Sequence, residues 1–310
     1  MRIVFAGTPL FAVPSLHALV EAGHEVVGVI TREDAALGRK RVLTPSPVAA
    51  AAAQLDLPVY KANRLDDDAT NWAASLDAEL GVIVAYGGLV REPLLSLPQL
   101  GWVNLHFSEL PRWRGAAPVQ RALMAAEQRL GVTVFRLVAA LDAGDVLTRD
   151  AHEFEAGTTA GTALTELATL GTTALLDAVR LLAVEPQAGE PQQGEPTYAH
   201  KLERADGHLD LRQSADQVLA HWSGVTPEPG AFVMHDGQPL KLLEVRLPAA
   251  ELASTAEAAH GIGAVRALQG AVLLETGSGT LELVHVQPAG KAAMAAADWL
   301  RGRGGEAVLS

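Results

Sequence analysis

Short, nearly continuous apolar runs punctuate the first half of the chain, at positions 3–6, 26–30, 58–60, 80–85 and 102–106. Runs of this length without polar alternation are what strands buried on both faces require. Between them lie amphipathic or Ala-rich stretches of helical length, such as 14–22 and 47–55. Strand and helix in alternation predict an α/β fold, a Rossmann-like open and mostly parallel sheet joined by right-handed crossovers, with helices on both faces.

The pattern changes after residue 130. Two further strands are predicted at 132–138 and 146–154, joined by the turn Leu141-Asp142-Ala143-Gly144-Asp145, and a packing helix at 160–182. Pro, Gly, Gln and Glu then dominate residues 184–203, which is linker composition. Beyond it, β-like segments at 232–234, 240–245, 263–267, 271–274 and 281–286 alternate with turn signals such as Asp236-Gly237. A small all-β barrel or sandwich is expected there. The resulting division is a domain at 1–183, a linker at 184–203 and a second domain at 204–310.

Composition narrows the chemistry. With 49% apolar and 19% charged residues the chain reads as a soluble globular protein, and no apolar run suggests a membrane span. The start, MRIVFAG, reads as a first strand and not as a signal peptide, so a cytoplasmic location is expected. There are no cysteines, which excludes disulfides, thiolate metal sites and cysteine nucleophiles. A net charge of −12 disfavours indiscriminate nucleic-acid binding, so any such partner needs a local basic patch. The first strand ends in AGTPLFA and not in G-x-G-x-x-G, and neither a Walker lysine loop, a G-x-S-x-G elbow nor an H-E-x-x-H motif is present.

One stretch concentrates specialised side chains: NLHFSELPRWRGAAPVQ, residues 104–120. Asn104 and His106 stand two apart at the predicted end of a parallel strand, where α/β sheets bind ligands, so both point to one face. An amide donor beside an imidazole suits a developing oxyanion and the management of one proton. The candidate carboxylate is Asp142, which can fix the tautomer of His106; Asp145 is the weaker alternative.

The same stretch strongly resembles the signature of the methionyl-tRNA formyltransferases. The likeness continues in IVFAGTPLFAVPSL, VIVAYGGLV, TPSPV, LDAGD, TYAHKL and LVHVQPAGKAAMAAADWLRG, in that order along nearly the whole chain. The resemblance implies transfer of a formyl group from 10-formyltetrahydrofolate to the α-amine of methionyl-initiator tRNA, without a metal. It gives Asn104, His106 and Asp142 the catalytic places, with a protonated His106 sharing the oxyanion, and makes Ser108, Glu109, Leu110 and Pro111 the tetrahydrofolate-contacting segment. Glu109 stands where the family commonly has Leu, and Phe107 where many relatives have Gly.

By the same likeness the loop beginning near Thr31 approaches tRNA through Arg39, Lys40 and Arg41, and the second domain is a barrel of oligonucleotide-binding (OB) type. Residues 204–310 hold 8 basic and 12 acidic side chains, a net of −4, so a binding face there must be locally basic, with Lys291 a candidate. Arg112 and Arg114 around Trp113 suit either a phosphate contact or packing. A monomer is expected. The alternatives are a formyltransferase acting on a small amine and a non-catalytic tRNA-binding module.

Overall fold

The computed structural model describes residues 1–38, 40–250, 252 and 261–310, with only the backbone of Leu37. Its first strands are β1 (Arg2–Gly7), β2 (Glu25–Thr31), β3 (Ala35–Leu37), β4 (Val42–Thr44), β5 (Val59–Lys61), β6 (Leu80–Val84), β7 (Trp102–His106), β8 (Arg114–Gly115), β9 (Arg129–Arg136), β10 (Val146–Glu153) and β11 (Tyr198–Ala199). Seven of them form one sheet in the order β10-β9-β7-β6-β1-β2-β5. From β5 to β7 neighbouring strands pair in parallel, and β9 is antiparallel to β7.

The order of these strands positions the site. From β1 the chain moves outward to β2 and β5, then returns to lay β6 on the other side of β1. The connections therefore diverge at the C-terminal ends of β1 and β6, the place where open α/β sheets of this order bind ligands. Thr8, just past β1, donates its hydroxyl to the Tyr86 carbonyl just past β6 at 3.0 Å, tying the two rims together. One strand further on, β7 ends at His106.

Local sequence explains the helices between these strands: α1 (Val13–Glu21), α2 (Pro47–Gln54), α3 (Asp67–Ser75) and α4 (Pro118–Met124). In α2, Ser46 accepts from the Ala49 N–H at 3.0 Å and Pro47 occupies the first turn, where its missing N–H costs nothing. Asp66 caps α3 in the same way. The helix α5 (Ala160–Val184) is long and apolar enough to cross a bilayer by length and composition. It is a core helix instead: Ala163, Leu167, Leu175, Val179 and Leu182 are fully buried, and its Gly171 lies against Leu105 of β7.

The chain forms two units: Met1–Pro118 with Leu130–His152 and Leu164–Ala199, and Val119–Arg129 with Glu153–Ala163 and His200–Ser310. Residues 184–199, whose composition reads as a linker, belong to the first unit as an ordered strap. Val146 and Glu190 exchange backbone hydrogen bonds, Arg136 donates to the Ala188 carbonyl at 2.7 Å, and β11 pairs with β8.

The second unit holds β12 (Phe232–His235), β13 (Gln238–Arg246), β14 (Ala264–Leu268), β15 (Ala271–Glu275), β16 (Thr280–Pro288), β17 (Met294–Ala295) and β18 (Glu306–Val308). They make an antiparallel sheet in the order β12-β13-β16-β15-β14-β18, with β17 on β16. Trp222, from the helix α6 (Ala215–Val225), and Trp299, from a short helix at Ala296–Arg301, enter one core with Leu242, Leu274 and Val286.

Candidate active site

Strand alternation puts Asn104 and His106 on one face of β7, and the antiparallel register places Phe135 and Thr133 of β9 opposite them. The Phe135 ring meets the His106 ring edge to face at 6.3 Å. His106 is buried, whereas Asn104 is partly exposed and its carboxamide makes no hydrogen bond among the described residues. That amide is open to a ligand.

His106 has a defined orientation. Its Nε2 lies 2.9 Å from the Trp113 carbonyl oxygen, and because a carbonyl can only accept, Nε2 carries the hydrogen. Nδ1 then faces the Asp142 carboxylate, 4.0 Å away. Asp142 is buried too, and the same carboxylate oxygen accepts the Gly115 N–H at 2.7 Å. Asp145 is exposed, and its carbonyl is engaged by the Arg136 N–H. Asp142 is therefore the carboxylate that meets the imidazole.

Burial holds the His106 pKa below its ordinary value, and the Asp142 charge and the Trp113 carbonyl offset this only in part. In the unliganded site this direction favours a neutral His106, where the resemblance implies a protonated one in the reacting complex. Near neutral pH the imidazole is neutral, and with Nε2–H given to Trp113 its lone pair is on Nδ1. The ring is set up to take a proton.

Gly115 shows why this turn needs its sequence. Its φ is +122°, a backbone conformation that L side chains rarely adopt, and an added Cβ would stand 2.7 Å from the Ala199 carbonyl. Only glycine brings its N–H to Asp142 at this point.

The segment Ser108 to Pro111 folds into a tight turn fixed from β9. Thr133 donates its hydroxyl to the Ser108 carbonyl at 2.7 Å and accepts the Leu110 N–H at 3.1 Å, and Ser108 donates to the Arg112 carbonyl at 2.6 Å. Ser108, Leu110 and Pro111 are buried. The Glu109 stem lies over Gly131 of β9, where an added Cβ would be 2.5 Å from its Cγ. Phe107 is buried edge to face against Phe11, with ring centroids 5.3 Å apart, and so covers the strand end.

Elsewhere the basic residues divide. Arg114 is engaged by Gln192, whereas Arg112 is exposed and stacks 6.0 Å from the Trp113 ring centre. The expected loop after β2 is a hairpin of β3 and β4, closed by a turn in which the Arg41 N–H reaches the Gly38 carbonyl at 3.1 Å. Lys40 and Arg41 are exposed on that turn, while Arg39 lies outside the described residues. Lys291 is exposed in the turn between β16 and β17.

Sequence reasoning passed over two residues. Thr197 accepts the Trp113 N–H on its hydroxyl at 2.8 Å and the Arg114 N–H on its carbonyl at 2.8 Å. Gln192 reaches the Asp142 turn from the strap. The recognised motif TYAHKL held a signal for the first; nothing local marked the second.

A family model described as formyl transferase matches residues 1–179, and one described as formyl transferase, C-terminal domain, matches 201–304. The chain belongs to the formyl transferase family. Among curated relatives, the methionyl-tRNA formyltransferase of Leifsonia xyli subsp. xyli is 56% identical over 310 residues, covering 100% of both chains. That of Clavibacter sepedonicus is 54% identical over 303 residues, covering 97% of each.

Solved structures agree in fold. HypX from Aquifex aeolicus in complex with tetrahydrofolic acid aligns over 97% of this chain with a TM-score of 0.65 at 19% identity, and this chain spans only about half of HypX, 47%. The methionyl-tRNA formyltransferase from Clostridium thermocellum aligns over 81% of this chain and 95% of its own, with a TM-score of 0.56 at 11% identity.

Proposed function

We propose that this chain formylates methionyl-tRNA: it transfers the formyl group of 10-formyltetrahydrofolate to the α-amine of the methionyl ester on initiator tRNA, giving N-formylmethionyl-tRNA for translation initiation. One observation carries the reading, the 56% identity to a methionyl-tRNA formyltransferase along the full length of both chains. The reading takes the enzyme as a monomer working in the cytoplasm, with residues 204–310 as the domain that holds tRNA.

A folate donor fits the residues at these strand ends. The loops after β1 and β6 carry Leu10 and Leu89, exposed by 72% and 66%, which are apolar surfaces that flat aromatic rings would cover. The bound donor supplies an activated formyl carbon. The turn from Ser108 to Pro111 forms a wall of its pocket, with Glu109 lying along β9.

Each polar group of the centre then has a task. The Asn104 amide donates to the oxygen that gains charge as the methionyl nitrogen bonds to the formyl carbon. His106 Nδ1 takes the proton that this nitrogen must lose, and Asp142 steadies the imidazolium so formed. The same proton passes to the folate nitrogen as its bond to the formyl carbon breaks, which returns His106 to its neutral form. Arg39, Lys40 and Arg41 hold tRNA phosphates.

Purified protein with methionyl-tRNA and 10-formyltetrahydrofolate tests this, beside His106→Ala. Formyl-methionyl-tRNA made at a rate that the substitution lowers by two or more orders of magnitude is the expected result. Folded protein that leaves methionyl-tRNA unformylated but formylates a small amine would overturn it, as would folded protein that binds tRNA and forms no product.

A further inference from the structure

Asp142 stands in the left-handed region, at φ 44°, within the turn Leu141 to Asp145. An Asp enters that conformation more easily than most residues, but it needs outside support to stay there. The support comes from the strap, fifty positions away. The Gln192 carboxamide donates one N–H to the Asp142 carbonyl at 2.8 Å and another to the Gly144 carbonyl at 2.9 Å. Its oxygen accepts from Arg114 Nη2 at 2.6 Å and Nε at 3.2 Å.

Every donor of that amide is engaged, and its oxygen holds two guanidinium N–H groups. Arg114 adjoins Gly115, whose N–H holds the Asp142 carboxylate. A closed circuit results: β8 grips the carboxylate through Gly115 and braces Gln192 through Arg114, while Gln192 grips the Asp142 main chain. Glu in place of Gln192 has no N–H to give the two carbonyls, and Asn is one methylene shorter.

We infer that Gln192, braced by Arg114, is a positioning residue for formyl transfer, which fixes the Asp142 turn so that the carboxylate stays opposite Nδ1 of His106. It rests on the reading of Asn104, His106 and Asp142 as the reacting centre. Gln192 touches no reacting atom; its effect passes through Asp142.

The test follows His106 directly. Around the imidazole lie the Asp142 carboxylate, the Trp113 carbonyl and the Phe135 ring, so its titration reports on where Asp142 sits. Gln192→Glu keeps the side-chain shape and gains an ion pair with Arg114, but it turns two donors into acceptors that face carbonyls. Gln192→Met removes the polar contacts without adding charge and serves if the first variant does not fold. Arg114→Lys loosens the same brace from β8. Gln193→Ala, on an exposed neighbour in the strap, is the control.

In the Gln192 variants kcat should fall roughly 10- to 100-fold, the cost of misplacing a reacting group by about an ångström. The KM values for both substrates should stay within about twofold, because ground-state binding is untouched. The NMR titration of His106 should move to lower pH, since a carboxylate that favours its charged form has drifted away. Gln193→Ala should leave all three unchanged. Wild-type kcat with an unmoved titration overturns the inference, and so does a lower melting temperature or a lower kcat with an unmoved titration. The titration needs no substrate. An inactive parent protein whose titration still shifts in the variants would count against the proposed reaction alone, and an active one with no shift would count against Gln192 alone.

Discussion

The centre around His106 and the turn of the β3–β4 hairpin are both rich in specialised residues, and they are built on opposite terms. In the centre His106, Ser108 and Asp142 are buried and, the Asn104 amide apart, few atoms are left unassigned: Nε2 goes to Trp113, the Asp142 carboxylate to Gly115, and the Ser108 carbonyl to Thr133. On the hairpin, Lys40 and Arg41 extend into solvent beside Val42 and Leu43, which are exposed by 59% and 70%. Bond making needs atoms held to a fraction of an ångström, whereas phosphate attraction acts over a Debye length and tolerates motion. Substitutions in the centre should therefore act on kcat, and those on the hairpin on KM.

The largest effect belongs to the open amide. Asn104→Ala should lower kcat roughly 10²- to 10³-fold, the usual cost of one oxyanion donor. Because the Asn104 carboxamide makes no protein hydrogen bond among the described residues, the melting temperature should hardly change. A stability loss in place of the rate loss would make Asn104 a strand-end support and erase the contrast between the two regions.

A pH profile sharpens the comparison at intermediate size. The folded pKa of His106 lies below the ordinary 6.5, with burial as the first cause. As pH falls below 6.5, the unfolded chain takes up a proton that the folded chain refuses, so ν_U exceeds ν_N and stability declines with falling pH. The lone pair on Nδ1 is lost by protonation only below the same value. The part of the acid limb of kcat/KM that belongs to His106 should accordingly lie below pH 6.5, apart from the titration of the substrate amine, and vanish from the residual activity of His106→Ala. Substitutions on the hairpin should leave that limb where it is. A His106 titration followed by NMR and lying above 6.5 would restore the protonated imidazole as the resting form.

The two regions also differ in how they can be read from sequence. Asn104 and His106 are legible because two positions along a strand end share a face, and Asp142 because a turn of Asp, Ala and Gly follows the next strand. The parallel sheet is legible from its continuous apolar runs, each within a residue or two of its strand. Gln192 and Thr197 are not, since hydrogen bonds that span 50 to 84 positions leave no period in the chain. Their surroundings, rich in Pro, Gln, Gly and Glu, have the composition of a linker even where they form the strap. The hairpin has the sequence of a loop, because strands of three residues around GRKR are too short for alternation to register. The protonation state of His106 follows from burial, which no local motif displays.

The smallest expected effect is on the hairpin, and it decides what the exposed turn does. Lys40→Ala and Arg41→Ala should each raise the KM for methionyl-tRNA a few fold and leave kcat and the folate KM unchanged, as loss of one phosphate contact would. An exposed charge can shift KM through the general field of the protein, and this chain carries a net charge of −12, so a KM change alone is ambiguous. Salt separates the two causes. A residue that neutralises a phosphate releases counterion, and its removal should flatten the slope of log affinity against log salt by about 0.7 to 0.9. A residue acting only through the field releases no counterion, so its removal would leave the slope nearly as it was. Binding of methionyl-tRNA to each variant between 50 and 200 mM salt, roughly the range over which such slopes are measured, distinguishes them. An unchanged slope for both would deny the hairpin its phosphates, and the division of labour between a rigid buried centre and a solvated basic turn would have to be drawn elsewhere on the molecule.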